Sequence, residues 1–477
     1  MAIHKPCPRC QTPLEIPQPA PDQIRCDKCG AIIKNRIASS AKHEPVTPAA
    51  PMPIAAPALQ PAPSVSRPNP MLLAGLVGGL LLVCLVPIAG LGLAWIFSGT
   101  EKKPAEEPVL PNVVQEEPKK PKPPPPPDPR NKIVQPSVDK GVAYLKANVP
   151  QIAKERPAYA GLSGLTLLEC GVDPDDPAIL KMAETIRAAA PVMNHIYDLS
   201  ASLFFLNRWD ESRPLDEKDR KMARSFALRI IAGQLSNGCW HYQSVVLTPE
   251  QEAKLLVSLQ EGTYMPTGSQ GTSISNTQFA MLAVWGARKH GVQVRESLLA
   301  VAAYFHANQH PNGSWNYPGF SLKATSTCAG LISLAIEVAL LEDKEFTSTP
   351  RPFDGAKKKA DVEMAFAYVA KTIGQTKANA NPEGRLFGAD AIGDLYFLWT
   401  LERVGVIYSK NQIAGKDWYD WGYPIVMGAQ QPDGSWNEGL GGPLIATPFA
   451  LLFLKRADIA RDLTEIIRTR GGKAAIP

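Results

Sequence analysis

The sequence predicts an all-α protein whose main domain is an (α/α)6 barrel, preceded by a small zinc ribbon and a single transmembrane helix. Three observations carry this. Four cysteines stand at metal spacing in the first thirty residues. Residues 71–97 form 27 positions without a charge. A seven-residue pattern recurs three times among helical segments after residue 131. The length of 477 residues sets a prior of about three domains. Proline divides the chain, because 27 of its 46 prolines fall in residues 1–130. A Pro-rich front therefore precedes an ordinary folded remainder. The net charge of +5 is too dilute over this length to mark a nucleic-acid partner, and 45% apolar residues exclude wholesale disorder.

The first element is residues 1–40. Cys7-Pro-Arg-Cys10 and Cys26-Asp-Lys-Cys29 form a CxxC…CxxC pattern. Each pair offers two thiolates from one tight turn, and two such knuckles close a tetrahedral four-sulfur shell. Arg9, Arg25 and Lys28 favour the deprotonated thiols. A segment with so few large apolar residues needs the metal to fold. The expected cofactor is one structural zinc ion on Cys7, Cys10, Cys26 and Cys29.

Residues 41–70 read as an extended Ala/Pro-rich linker. Residues 71–97 exceed the ~20 apolar positions that span a bilayer, with Trp95 near one end where an interfacial aromatic belongs. Seventy residues precede this run, which separates it from a signal peptide. Lys42 and Arg67 before it nearly balance Lys102 and Lys103 after it, so charge does not orient it. A thiolate site suits a reducing compartment, which places the N-terminus in the cytoplasm and the main domain outside. Residues 98–130 contain five consecutive prolines at 123–127 and read as a stiff spacer.

Residues 131–477 repeat themselves. Gln234-Leu-Ser-Asn-Gly238-Cys-Trp240, Gln309-His-Pro-Asn-Gly313-Ser-Trp315 and Gln430-Gln-Pro-Asp-Gly434-Ser-Trp436 share the form Q-x-x-x-G-x-W. Each follows a helical run and precedes a more apolar one, and Asn-Gly or Asp-Gly supplies the turn that ends a helix. Amphipathic stretches begin near Val138, Ala178, Asp219, Arg295, Ala360 and Trp418. Stretches apolar on nearly all sides follow at 159–169, 199–207, 276–289, 327–341, 394–407 and 447–455. The first set reads as an outer ring and the second as a buried inner ring.

The Q-x-x-x-G-x-W motifs resemble the QW repeats of squalene–hopene cyclases and related terpenoid cyclases, whose α/α-toroid is shared with protein prenyltransferase β subunits. The complete layout is similar to that of bacterial membrane-anchored proteins of the prenyltransferase/squalene-oxidase-repeat type. The resemblance implies the toroid, with Gln capping backbone groups and Trp packing over each turn.

Chemistry is harder to find. Asp173-Pro174-Asp175-Asp176 matches the Asp-x-Asp-Asp acid of the cyclases, yet it stands in a polar turn where an acid would cap the following helix. Cys328 lacks the ligands of a prenyltransferase zinc site and reads as a buried core thiol. The outer-to-inner connections converge on one mouth, whose candidate ligand-binding residues are His195, Asp198, His241, Asn276, Gln278, Tyr317, Asp394 and Tyr396. Asp198 and Asp394 are weak candidates for a catalytic carboxylate pair. Asn276 and Asp394 alternatively read as N-caps, and Glu402-Arg403 as a structural ion pair. The expected function is a membrane-anchored binding or scaffold module, with a small hydrophobic molecule, a glycan or a protein at the mouth. The alternative is an enzyme acting on isoprenoid lipid or, less favoured, on glycan.

Overall fold

The computed structural model describes residues 3–6, 13–16, 23–25, 28, 32–34, 128–269, 271–317, 322–342, 361–375, 394–437 and 441–471. The chain divides into two compact units, Met1–Gln115 and Glu116–Pro477. The first contains two antiparallel strand pairs. β1 (Ile3–Pro6) runs against β2 (Pro13–Ile16) with Ile3 opposite Ile16, and β3 (Gln23–Arg25) against β4 (Ile32–Lys34) with Arg25 opposite Ile32. In sequence, each CxxC falls between two paired strands. The four cysteines themselves, the linker, the apolar run at 71–97 and the spacer up to residue 127 lie outside the described residues.

The second unit is helical. Its elements are α1 (Arg130–Ala147), α2 (Val149–Ile152), α3 (Pro157–Glu169), α4 (Pro177–Ala189), α5 (Ile196–Ser212), α6 (Glu217–Ala232), α7 (Pro249–Gln260), α8 (Ile274–Gly286) and α9 (Arg295–Asn308). A short pair, β5 (Trp315–Asn316) and β6 (Leu322–Lys323), leads into α10 (Ala324–Glu342), α11 (Val362–Val369) and α12 (Leu395–Ile407). A second pair, β7 (Gln412–Ile413) and β8 (Lys416–Asp417), precedes α13 (Trp418–Gly428), α14 (Pro443–Lys455) and α15 (Arg461–Gly471). Helix starts follow local chemistry. Asp176, Asp216, Asp361, Asp394 and Asp417 each accept a backbone N–H in the first turn, and Thr248 with Gln251 forms a capping box.

Six helices pack as a closed cycle: α3 on α5, α5 on α8, α8 on α10, α10 on α12, α12 on α14, and α14 back on α3. They are the segments apolar on nearly all sides, and α3 is buried without interruption from Ala160 to Leu168. Small residues let them approach. A Cβ on Gly161 would lie 2.5 Å from the Ala201 carbonyl carbon, so glycine sets the α3–α5 spacing. Ala324–Leu341 in α10 is long and apolar enough to cross a membrane, but 83% of that window is buried within the unit. Its surroundings are those of a core helix.

The amphipathic helices α1, α4, α6, α9, α11 and α13 each pack on this cycle. Three of their joints are made by the repeated motif, in the same way each time. Gln234 Nε2 donates to the carbonyls of Gly238 (2.7 Å) and Ser297 (2.8 Å). Gln309 Nε2 reaches Gly313 (3.1 Å) and Asp361 (2.9 Å). Gln430 Nε2 reaches Gly434 (3.0 Å) and Ser137 (2.9 Å). Each Gln thus joins its own turn to the next outer helix, at the start of α9 or α11 or near the middle of α1. The last of these ties the end of the cycle to its beginning. Each Trp Nε1 donates back to the preceding outer helix, Trp240 to Ile230, Trp315 to Phe305 and Trp436 to Val426, at 2.6–2.7 Å. Each Trp N–H donates to an inner-helix threonine, Thr277, Thr327 or Thr447. The turn glycines have φ of +83° to +90°, and a Cβ on Gly238 would meet the Ala300 carbonyl oxygen at 2.1 Å.

The other joints use different chemistry. Lys146 pairs with Asp176 at 2.6 Å between α1 and α4. Arg187 grips the buried Asp219 through two bonds between α4 and α6. Lys416 Nζ donates to the Ala370 and Ile373 carbonyls behind α11. Helix α15, together with α2 and α7, was not foreseen by periodicity. It packs on α10 and α12, and its first residues bind the C-terminal ends of the inner helices: Arg461 with Glu169 and Glu211, and Asp462 with Arg288 and Trp285. That end of the cycle is closed.

Candidate functional site: a polar and aromatic mouth

At the other end, the first turns of the inner helices bring together residues distant in sequence. Tyr396 Oη, at the start of α12, donates to Gln278 Oε1 of α8 at 2.8 Å. Tyr317, just after β5, places its hydroxyl 2.9 Å from Ser273 Oγ and 3.0 Å from Ser275 Oγ. Tyr197 of α5 stands beside them, its ring edge-on to Phe279 at 4.9 Å. Burial pushes the Tyr197 and Tyr396 phenols well above their ordinary value, so they stay protonated hydrogen-bonding groups. Gln278 is fully buried, and its Nε2 has no partner. A donor left in this state costs about 1–3 kcal/mol.

Below these hydroxyls aromatic rings pack inside the cycle. Tyr197 meets Phe279 edge-on at 4.9 Å, Phe279 meets Trp399 at 5.2 Å, and Trp399 meets Phe449 at 5.0 Å. Phe279 and Trp399 belong to α8 and α12, which both flank α10, so their contact lies on the inner side of α10. One turn further, Arg403 lies 4.4 Å over the Trp399 ring and bonds Glu402 Oε2. Burial pushes the Glu402 carboxyl up to about 8 against the pull of Arg403.

The acids of the mouth hold helix ends. Asp198 accepts from Ala158 N at the start of α3 (3.1 Å) and pairs with Arg156 at 2.8 Å. Asp394 accepts from Tyr396 N and Phe397 N as the N-cap of α12. Both carboxylates are thereby engaged in positions that stabilise partial positive charge. The N-cap expectation for Asn276 fails. Helix α8 begins at Ile274, and Asn276 is a fully buried residue whose Nδ2 donates to Ser273 Oγ. Its Oδ1 has no partner.

The Asp173–Asp176 turn stands elsewhere. Asp176 caps α4 by accepting from Ala178 N at 2.9 Å, Asp175 is exposed and pairs with Arg213, and Asp173 accepts from Asp175 N. Trp209 Nε1 donates to the Pro174 carbonyl and pins the turn.

His195 and His241 sit beside the mouth. The 194–196 segment runs against 242–244, with Ile196 N donating to the Tyr242 carbonyl and Ser244 N to that of Asn194. Tyr242 lies between the two imidazoles, 5.7 Å from His195 and 5.0 Å from His241. Neither Nδ1 has a partner. Burial, helped by Arg156, pushes His195 below its ordinary value, which keeps it neutral at neutral pH. Among the described residues, no group of three or more His, Cys, Asp or Glu side chains could hold a metal ion. Compared with protein-family models and with curated proteins, the chain matches none.

Ser273, Ser275 and the packed aromatics escaped the sequence reading. The signal for the serines was available in Thr272-Ser-Ile-Ser-Asn-Thr-Gln278, a polar run opening an otherwise apolar helix. The aromatics on α8, α12 and α14 gave no comparable signal. A Phe or Trp on a helix apolar all round has no visible direction until the ring is closed.

Proposed function

We propose that the chain is a single-pass membrane-anchored protein that presents an (α/α)6 toroid as a non-catalytic binding module. A zinc ribbon of Cys7, Cys10, Cys26 and Cys29 lies on the cytoplasmic side and the toroid outside. The closed cycle of six helices, the surrounding amphipathic helices and the triplicated QW joints support the toroid and its likeness to terpenoid cyclases. The two strand pairs flanking the CxxC turns support the ribbon. The uncharged run at 71–97 supports the anchor.

The observation that carries the binding reading is the mouth. It combines a buried Gln278 amide, whose Nε2 has no partner, with three tyrosines above aromatic rings packed inside the cycle. A polyene cyclase needs a deep apolar chamber with a desolvated acid. Here Phe279, Trp399 and Phe449 pack together inside the cycle, and the Asp-x-Asp-Asp match lies in the turn that caps α4. Prenyl transfer needs a cationic seat for diphosphate, and the charged groups at the mouth are engaged with one another or with helix ends.

The test is turnover. Full-length protein incubated with squalene or with farnesyl diphosphate and an acceptor peptide should yield no product, in the wild type or in a triple Asp173→Asn, Asp175→Asn, Asp176→Asn variant. Cyclised product from the wild type, lost in the variant, would overturn the non-catalytic reading. Cysteine labelling in intact cells should reach the toroid and not the ribbon; the reverse pattern would invert the topology.

A further inference from the structure

Resting on the reading of this end as a binding mouth, we propose that its ligand is a neutral saccharide, seated on the tyrosine and serine network of Tyr197, Ser275, Tyr317 and Tyr396 with the Gln278 amide beneath. Charge is the first argument. Asp198 is held by Arg156 and the start of α3, Asp394 by the start of α12, and His195 is neutral. Among the described residues of this network, a phosphate, carboxylate or ammonium group would find no matched counter-charge, and burying it unpaired is costly.

Polarity is the second. Three phenols, two serine hydroxyls and a primary amide meet at this end, Tyr396 bonded to Gln278 and Tyr317 bonded to Ser273 and Ser275. A hydrocarbon laid on them would displace their water without replacing its hydrogen bonds. A sugar ring offers what both parts of the mouth can use. Its hydroxyls each donate and accept, which matches phenols that do both and an Nε2 group lacking an acceptor. Its C–H faces suit the flat rings of Tyr197 and Tyr396, each of which joins the aromatic stack below through Phe279 and Trp399.

The third argument is comparison within the molecule. Gln234, Gln309 and Gln430 have each Nε2 bonded to two carbonyls, whereas Gln278, as buried as Gln234 and more buried than the other two, has none on its Nε2. A buried amide held by Tyr396 on its oxygen and left open on its nitrogen is arranged for an incoming acceptor.

The experiment uses the full chain in lipid nanodiscs, since glycosidic detergents would compete. It is applied to a printed array of neutral and acidic glycans, then titrated calorimetrically with neutral oligosaccharide hits, a proline-rich decapeptide and farnesol. We expect saturable binding of at least one neutral oligosaccharide and no preference for acidic ones. Gln278→Leu should weaken binding at least tenfold, and so should Tyr317→Phe, a second variant nearer the surface. Both should leave melting near wild type. Saturation by the peptide or by farnesol, abolished by the same variants, would overturn the saccharide assignment while leaving a binding mouth in place. Binding of none of the probes would overturn both.

Discussion

The outer joints and the mouth are built from the same residue types, an amide beside an aromatic ring, and they end in opposite states. At the joints, Gln234, Gln309 and Gln430 donate to two carbonyls each, and Trp240, Trp315 and Trp436 are buried with every indole N–H bonded. At the mouth, Gln278 and Asn276 are as deeply buried, yet Gln278 Nε2 and Asn276 Oδ1 lack partners. Stability accounts for the first arrangement and not for the second, since an unmet buried polar group is a cost. Between these two sets of amides, the difference lies in hydrogen-bonding capacity met at the joints and left unmet at the mouth, not in residue type.

The comparison breaks first, and most heavily, at the joints. Trp436→Ala removes a fully buried indole that bonds Val426 and packs on α1, so it should cost ~3–5 kcal/mol of stability. Thermal unfolding measures this, and hydrogen exchange should show α1 protection falling most, because Gln430 ties the cycle shut there.

A pair of histidines gives the next test. Burial pushes His290 down to about 4, and its Nε2 bonds Asn207 Oδ1 at 2.7 Å. A histidine lowered by folding contributes its stability above the unfolded value near 6.5 and loses it as pH falls from there toward 4. The acid-side loss should reach roughly 3 kcal/mol and flatten in His290→Gln. His195 belongs to the mouth and is lowered by burial too, so His195→Gln should alter ligand affinity and also flatten part of the acid limb, whereas His290→Gln should change the acid limb alone.

Gln430→Leu should cost about 1–3 kcal/mol, because the Ser137 and Gly434 carbonyls lose a donor. The smallest effect is expected from chelation. Zinc removal should unfold residues 1–40 and leave the melting of the helical unit unchanged, since the two are separate compact units. A shift in that melting would couple the ribbon to the toroid.

Much of this was legible in the sequence. The six inner and six outer segments, the three stapled turns and the Asp176 cap follow from periodicity and turn chemistry, which are local properties. The engagement of Asp198 with Arg156 and the α3 terminus was not legible, because these partners lie 42 and 40 residues away along the chain. Asn276 reads as a cap where apolarity alone sets the start of α8, whereas Ser273 stands at the N-cap, less than one turn earlier. The closing helix α15 and the aromatic packing inside the cycle depend on which way side chains turn once a ring is complete, and no spacing along the chain records that.

The most direct test of the central claim pairs two substitutions in one stability measurement. Gln278→Leu with Tyr396→Phe removes both partners of the mouth's buried bond, and Gln234→Leu with Trp240→Phe removes the corresponding pair at a joint. Replacing both partners by apolar groups of similar shape is close to neutral where the site carries no structural duty. The account predicts that the mouth variant melts within about 1 kcal/mol of wild type, while the joint variant loses roughly 2–4 kcal/mol through the orphaned Gly238, Ser297 and Ile230 carbonyls. A mouth variant destabilised as much as the joint variant would make Gln278 and Tyr396 part of the frame, and the distinction between frame and site would fall.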